Sequence, residues 1–258
     1  MSALLEVTGL SKRFGGLTAV QDLSFTIEPG SIVGLIGPNG AGKTTVFNLV
    51  SGTMRPSTGE IRFKGRSINA LPPFERVRLG LARTFQSTVL YTDATVLENV
   101  LRGLAARTGP AVWSGIPGLN RWSSYTEGLK RRACELLEFV ELGHVHDVTA
   151  RNLPYGYQRA LGVAIGLAAS PELLMLDEPV AGMNHGETAQ MAGLIRRANE
   201  GGTTILVVEH DMSFVMRLCR KIIVVANGTK IAEGTPEEVQ RDPHVVKAYL
   251  GAEEDAAA

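Results

Sequence analysis

The chain has 258 residues, 44% of them hydrophobic and 20% charged, with 26 lysines and arginines balancing 26 aspartates and glutamates. That length suits one large domain, or a domain with a subdomain, around a sizeable core. Zero formal charge without a basic stripe argues against nucleic acid as a partner, and no apolar run reaches the roughly 18–20 residues that a membrane-spanning helix needs.

Met1–Glu6 lacks the basic start and apolar core of a signal peptide. Leu4–Val7 and Leu23–Ile27 read as strands, and Ser31–Ile36 as a continuous apolar strand that runs into a glycine-rich loop. Thr44–Ser51 has helical spacing. Residues 56–68 look like a hairpin, and residues 93–106 begin a helix, with Thr95 and Glu98 spaced as a capping box. Residues 107–125, rich in Gly, Pro and Ser and holding Trp113 and Trp122, read as a loose insertion. Helices are expected at Thr126–Leu142 and Leu153–Ala169, a strand at Leu173–Leu176, a helix at Thr188–Ala198 and a buried strand at Thr203–Val208. A helix at Met212–Leu218, a strand at Ile222–Ala226 closed by Asn227-Gly228, and one last helix over Pro236–Tyr249 with Thr235 as its cap complete the order. The tail from Ala252 to Ala258 reads as disordered. Buried strands alternating with helices predict an α/β fold with a mostly parallel sheet, and the early hairpins an antiparallel portion beside it. Two cysteines, Cys134 and Cys219, are too few for a disulfide framework, so a reducing cytosol is expected.

Gly37-Pro38-Asn39-Gly40-Ala41-Gly42-Lys43-Thr44 matches G-x-x-x-x-G-K-[ST] between a strand and a helix. Glycines let the backbone wrap phosphate with several N–H groups inward, and the following helix adds its positive end. Lys43 is expected on the β- and γ-phosphates and the Thr44 hydroxyl on Mg²⁺. Such a loop needs a carboxylate at the end of a neighbouring buried strand, and Leu173-Leu174-Met175-Leu176-Asp177-Glu178 supplies it. Asp177 is the expected metal ligand, and Glu178 can take a proton from attacking water.

With these motifs in order, residues 4 to 250 resemble the nucleotide-binding subunits of ABC transporters. The resemblance implies a P-loop NTPase of ABC type: a mostly parallel core sheet, an antiparallel β subdomain and a helical subdomain at about residues 87–170, all within one cassette of residues 1–251. It implies ATP as ligand, held by Phe14, Gly37, Pro38, Asn39, Gly40, Ala41, Gly42, Lys43, Thr44 and Thr45, with Tyr155 and Gly156 closing the site from across a dimer. Phe14 would stack on adenine. Mg²⁺ would sit on Thr44, Asp177 and Gln86, with Glu178, His210 and Gln86 as the catalytic group.

Two positions depart from the broad family pattern. The signature stretch, Leu-Ser-Gly-Gly-Gln in most relatives, reads Leu153-Pro154-Tyr155-Gly156-Tyr157 here, so one serine hydroxyl is missing while the helix start is kept. Asn184 stands where most relatives carry Asp. Leu-x-Tyr-Gly-x-Gln-Arg, Ala181-Gly182-Met183-Asn184, Arg83-Thr84-Phe85-Gln86 and the ending Ala248-Tyr249-Leu250-Gly251 resemble the branch that imports branched-chain amino acids; close relatives import amides, urea or aromatic acids. The implied partners are a second copy or a paralogous ATPase subunit, transmembrane permease subunits and, indirectly, a substrate-binding protein, at the cytoplasmic face of the inner membrane. One alternative stays within transport, a motor for lipid or lipopolysaccharide export; another comes from a different class, a soluble ABC ATPase outside transport. No Asn-Lys-x-Asp guanine-reading motif is present. His144-Val145-His146 reads as a solvated turn.

Overall fold

The structure, a computed structural model, describes residues 3–84, 90–108 and 119–256. Among these, ten strands form two sheets. The first is antiparallel, in the order β2 (Leu17–Ile27), β1 (Leu5–Phe14), β4 (Thr58–Phe63), β5 (Arg66–Ser67). The second runs β10 (Thr229–Gly234), β9 (Lys221–Ala226), β3 (Ile32–Ile36), β8 (Thr204–Val208), β7 (Leu173–Asp177), β6 (Leu81–Arg83). Only β10 pairs antiparallel there; the other pairs are parallel.

The central strands are buried along their whole length, which is why they read as unbroken apolar runs rather than alternating ones. Their side chains still alternate between two cores. Ile32, Ile36, Leu174, Leu176, Ile205 and Val207 face one layer, and Val33, Leu35, Leu173, Met175, Leu206 and Val208 the other. The first core is completed by α3 (Val96–Thr108), α4 (Leu119–Phe139), α5 (Tyr155–Ala168), α6 (His185–Glu200) and α7 (Met212–Leu218). The second holds α1 (Lys43–Ser51) between the parallel sheet and the antiparallel one. Gly34 of β3 lets α7 pack close: a Cβ there would lie 2.8 Å from a Val215 methyl.

Capping boxes fix several helix starts. Thr95 and Glu98 exchange side chain to backbone bonds at 3.2 and 2.9 Å, as their spacing predicts. Thr235 does the same with Glu238 at the start of α8 (Pro236–Arg241). The expected single helix over Pro236–Tyr249 is instead α8 and α9 (Pro243–Ala256). Pro243 pushes Asp242 out of the helical region, to φ −70°, ψ 120°, and the chain turns there. The α9 helix continues to Ala256, past the start of the expected tail.

Other elements exceed or escape the sequence reading. Strands β1 and β2 run on into a hairpin at Gly15-Gly16, α4 begins at Leu119 rather than Thr126, and α6 begins at His185 rather than Thr188. The helix α2 (Pro73–Leu79) and strands β6 and β10 have no counterpart in the expected order.

Register places the site. Leu35 pairs with Val208, and Val208 with Asp177, so β3, β7 and β8 end at one edge. The glycine loop, Asp177-Glu178 and Glu209-His210 leave the sheet there, the edge at which open α/β sheets bind ligands.

Candidate nucleotide site

The loop from Gly37 to Gly42 is held from behind. A Cβ at Gly37 would fall 2.0 Å from the Val225 carbonyl oxygen, and one at Gly42, where φ is +97°, 2.5 Å from that of Ala19. Only glycine fits either place. Asn227 and Gly228, with φ of +47° and +76°, make the tight turn between β9 and β10. Gly228 then donates its N–H to Ala41 O at 3.1 Å and accepts one from Gln21 at 2.8 Å, tying the loop to β2. Gly40, by contrast, has open space before it. The helix α1 starts at Lys43 without a side-chain cap, so its first-turn amides are left for a ligand at the loop.

Lys43 is buried, 8% exposed. Its Nζ donates to Gly37 O at 2.6 Å and Pro38 O at 3.0 Å. Burial pulls its pKa below the usual lysine value, while the charges of Glu178, Asp177 and Glu209 push the other way. Those three carboxyl groups thus lie near enough to act on the lysine's charge. Thr44 is exposed and Thr45 half-buried behind it.

Asp177 closes β7 at 4% exposure. Burial raises its pKa; Arg83 is the strongest opposing influence, with Arg159 and Lys43 behind it. Arg83 itself is locked on α1, donating to Asn48 Oδ1 at 2.9 Å and Ser51 Oγ at 2.8 Å, with its guanidinium 4.8 Å from the Phe47 ring centre. Glu178 occupies the left-handed region at φ +47°, a conformation that costs a non-glycine residue and persists only where the surroundings impose it. Its N–H donates to Val208 O at 2.9 Å, which imposes it. The result turns the Glu178 side chain towards His210, whose Nδ1 lies 3.7 Å from Glu178 Oε1.

Glu209 is fully buried and accepts the N–H groups of Val180 at 3.0 Å and His210 at 3.1 Å. It thus joins the turn after Glu178 to the turn that carries His210. Burial raises its pKa against those bonds. Sequence reading passed over Glu209, Arg83 and Arg159; the one available signal was an acid directly after a buried strand, beside His210.

The remaining predicted residues fall in three places. Phe14 ends β1 at the hairpin, 46% exposed, with the Lys12 ammonium 5.2 Å from its ring centre. Tyr155 and Gly156 open α5, and the structure joins them to the segment after Glu178: Tyr155 donates to Ala181 O at 3.0 Å. Gln86 lies outside the described residues. His144 and His146 join no group of three or more potential metal ligands among the described residues.

A glycine loop that only glycine can form, an uncapped helix behind it, and a buried lysine among carboxylates fit a nucleoside triphosphate. The fold and this edge define a P-loop ATPase of the cassette class. Residues 20–181 match the ABC transporter family, and residues 229–255 the branched-chain amino acid ATP-binding cassette transporter family. The chain is 44% identical over 252 residues to the high-affinity branched-chain amino acid transport ATP-binding protein LivG of Escherichia coli (strain K12), spanning 96% of this chain and 98% of that one. It is 32% identical over 249 residues to the lipopolysaccharide export system ATP-binding protein LptB of the same strain, at 96% and 98% coverage. Its backbone superimposes on the ADP conformation of MJ1267, an ATP-binding cassette of an ABC transporter, with a TM-score of 0.84 at 29% identity, covering 97% of this chain and 100% of that one. The chain belongs to the ABC transporter family, as an ATP-binding, ATP-hydrolysing subunit. No helix among its described residues is long and apolar enough to cross a membrane.

Proposed function

We propose that this chain is the motor of an importer for branched-chain amino acids or related small polar solutes. The observation that carries the motor reading is Lys43, buried in its glycine loop among Asp177, Glu178 and Glu209. Greater identity to LivG than to LptB, together with the matching C-terminal region, favours import over lipopolysaccharide export. One cassette spans residues 1–251, with a helical subdomain at about 87–170 and a tail beyond.

In the mechanism, Phe14 stacks on adenine, and residues Gly37 to Thr45 wrap the phosphates through backbone amides. Lys43 exchanges its two loop carbonyls for phosphate oxygens. Thr44, Asp177 and Gln86 would hold Mg²⁺, which supplies neutralisation of the phosphate charge when bound. Glu178, turned to the site by its left-handed backbone, takes the proton of the attacking water. His210 and Gln86 order the γ-phosphate end. Tyr155 and Gly156 approach from a second subunit, a copy of this chain or a paralogous ATPase. Closing and reopening that dimer moves attached permease subunits at the cytoplasmic face of the membrane, and a separate binding protein delivers the solute.

The test is a pull-down of the tagged chain from detergent-solubilised membranes of its host. Recovery of polytopic permease subunits, with a binding protein encoded beside them that takes up leucine, is the expected result. Recovery of cytosolic partners alone would overturn the importer reading.

A further inference from the structure

Tyr155 is 45% exposed at the first position of α5, yet its hydroxyl is engaged by two residues. It donates to Ala181 O at 3.0 Å and accepts from Arg159 Nε at 2.9 Å, with Arg159 Nη2 also in contact. Arg159, one turn along the same helix, sets its guanidinium 5.0 Å from the Tyr155 ring centre. The phenol is thus held from its own helix at both ring and hydroxyl, which leaves the Ala181 carbonyl as the group it reaches for. The ring lies on Gly182: a Cβ there would be 3.4 Å from Tyr155 Cε1, and φ at Gly182 is +77°.

Ala181 is not a passive acceptor. Its N–H donates to Glu178 O at 3.3 Å, and Met183 donates to Val180 O at 3.1 Å, so residues 178–183 form a compact turn that begins at Glu178. The helix start also packs closely beside this bond. A Cβ at Gly156 would lie 2.9 Å from Glu187 Oε1, and Glu187 is itself bonded to Asn184, the last residue before α6. Pro154, at the cap of α5, has no hydroxyl and makes no side-chain capping bond. Tyr155 thus supplies a polar connection from this helix start to the chain's own turn after Glu178.

We propose that Tyr155 is a positioning residue that fastens the start of α5 to the turn following Glu178 in the same chain, so that the two move as one piece. This rests on the reading above in which the start of α5 faces a nucleotide held by the other subunit. Closure on that nucleotide would then be passed, through Tyr155 and Ala181, to the chain's own Glu178. Turnover at one site becomes linked to occupancy of the other, by a contact inside each subunit.

The test compares wild type with Tyr155→Phe, which keeps the ring on Gly182 and removes the hydroxyl's bonds to Ala181 and Arg159. The assembled transporter is used for turnover, and the purified full chain for binding of a fluorescent ATP analogue. Hydrogen exchange of residues 179–184 is followed with and without ATP. The expected result is unchanged melting, analogue affinity within about twofold, kcat lower by about five- to tenfold, as for one lost net hydrogen bond, and a Hill coefficient for ATP moved towards one. ATP should slow exchange at 179–184 in wild type and not in the variant. Equal kcat, Hill coefficient and exchange in the two proteins would overturn the proposal. So would a variant whose affinity falls as far as its kcat, since that marks Tyr155 as a plain nucleotide contact. Failure of the wild-type chain to bind the analogue at all would instead sink the nucleotide site, and this proposal with it.

Discussion

The ammonium of Lys43 lies 2.6 Å from the carbonyl oxygen of Gly37, inside the loop that carries both residues. The lysine is already buried and already bonded, so the loop is shaped around a cation before any phosphate arrives. Its charge also offsets Glu178, Asp177 and Glu209.

Lys43→Met keeps the aliphatic stem and removes the charge. It deletes charge-assisted bonds to phosphate worth about 1.5–3 kcal/mol each, so ATP affinity should fall by about a hundredfold or more. Titration with a fluorescent ATP analogue measures this; a loss of less than about threefold would remove Lys43 from the site.

Asp177 carries a cost in stability that its position explains. Burial outweighs the attraction of Arg83, Arg159 and Lys43, so its folded pKa stands above the ordinary 3.8. The folded state therefore binds more protons than the unfolded one between those two values, and stability falls as pH rises through that window. At pH values above the raised value the whole cost is present. Asp177→Asn should melt higher than wild type there by about 2–4 °C, for a gain of about 1 kcal/mol, while ATP turnover with Mg²⁺ collapses. The melting difference should shrink as pH falls through the raised value and close near 3.8. Thermal melts across pH decide it; an Asn variant that melts lower at neutral pH would mean that Asp177 stabilises the fold after all.

How much of this was legible beforehand follows from burial. The strands β3, β7 and β8 are covered on both faces, so composition alone marks them, and the glycine loop is legible because only glycine fits at Gly37 and Gly42. The edge strands β6 and β10 are short or half-buried and carry no such signal. The break in the last helix was written in Asp242-Pro243, but the apolar spacing on either side of it reads as one helix. Glu209 and Arg76 escaped notice because a buried charge is recognisable only by partners distant in sequence: Val180 for one, the end of α1 for the other.

Asn184 stands where most relatives carry Asp, and the structure gives it a capping role: its side chain accepts the Glu187 N–H at 3.0 Å, and Glu187 Oε2 accepts the Asn184 N–H at 3.0 Å, a capping box at the start of α6. Asp would cap equally well, whereas Ala would not. Asn184→Ala should cost about 1 kcal/mol and Asn184→Asp almost nothing, read by denaturant midpoints. If Ala and Asp destabilise equally, the cap contributes little and the residue matters for some other reason.

Arg76, in α2, is 1% exposed and pairs with no acid among the described residues; it donates instead to four carbonyl oxygens. Leu49 and Val50 offer the unpaired end of α1 at 2.8 and 2.7 Å, Ile68 lies at 2.6 Å and Leu71 at 3.0 Å. A helix ends with carbonyls that have no partner within it, and a guanidinium with five donors answers several at once. Burial pushes the Arg76 pKa down to about 10, still far above neutrality, so the charge remains. Gly52, at the end of α1, leaves the room: a Cβ there would lie 2.5 Å from Arg76 Nε. Arg76→Met fills the volume but strands the carbonyls, and should cost about 3 kcal/mol, or about 6–12 °C in Tm. Arg76→Lys keeps the charge with fewer donors in the wrong geometry, and should recover less than half of that. Because α1 begins at Lys43, the loss should also weaken ATP binding in the folded variant. A Met variant that melts like wild type would show that water can serve these carbonyls as well as Arg76 does.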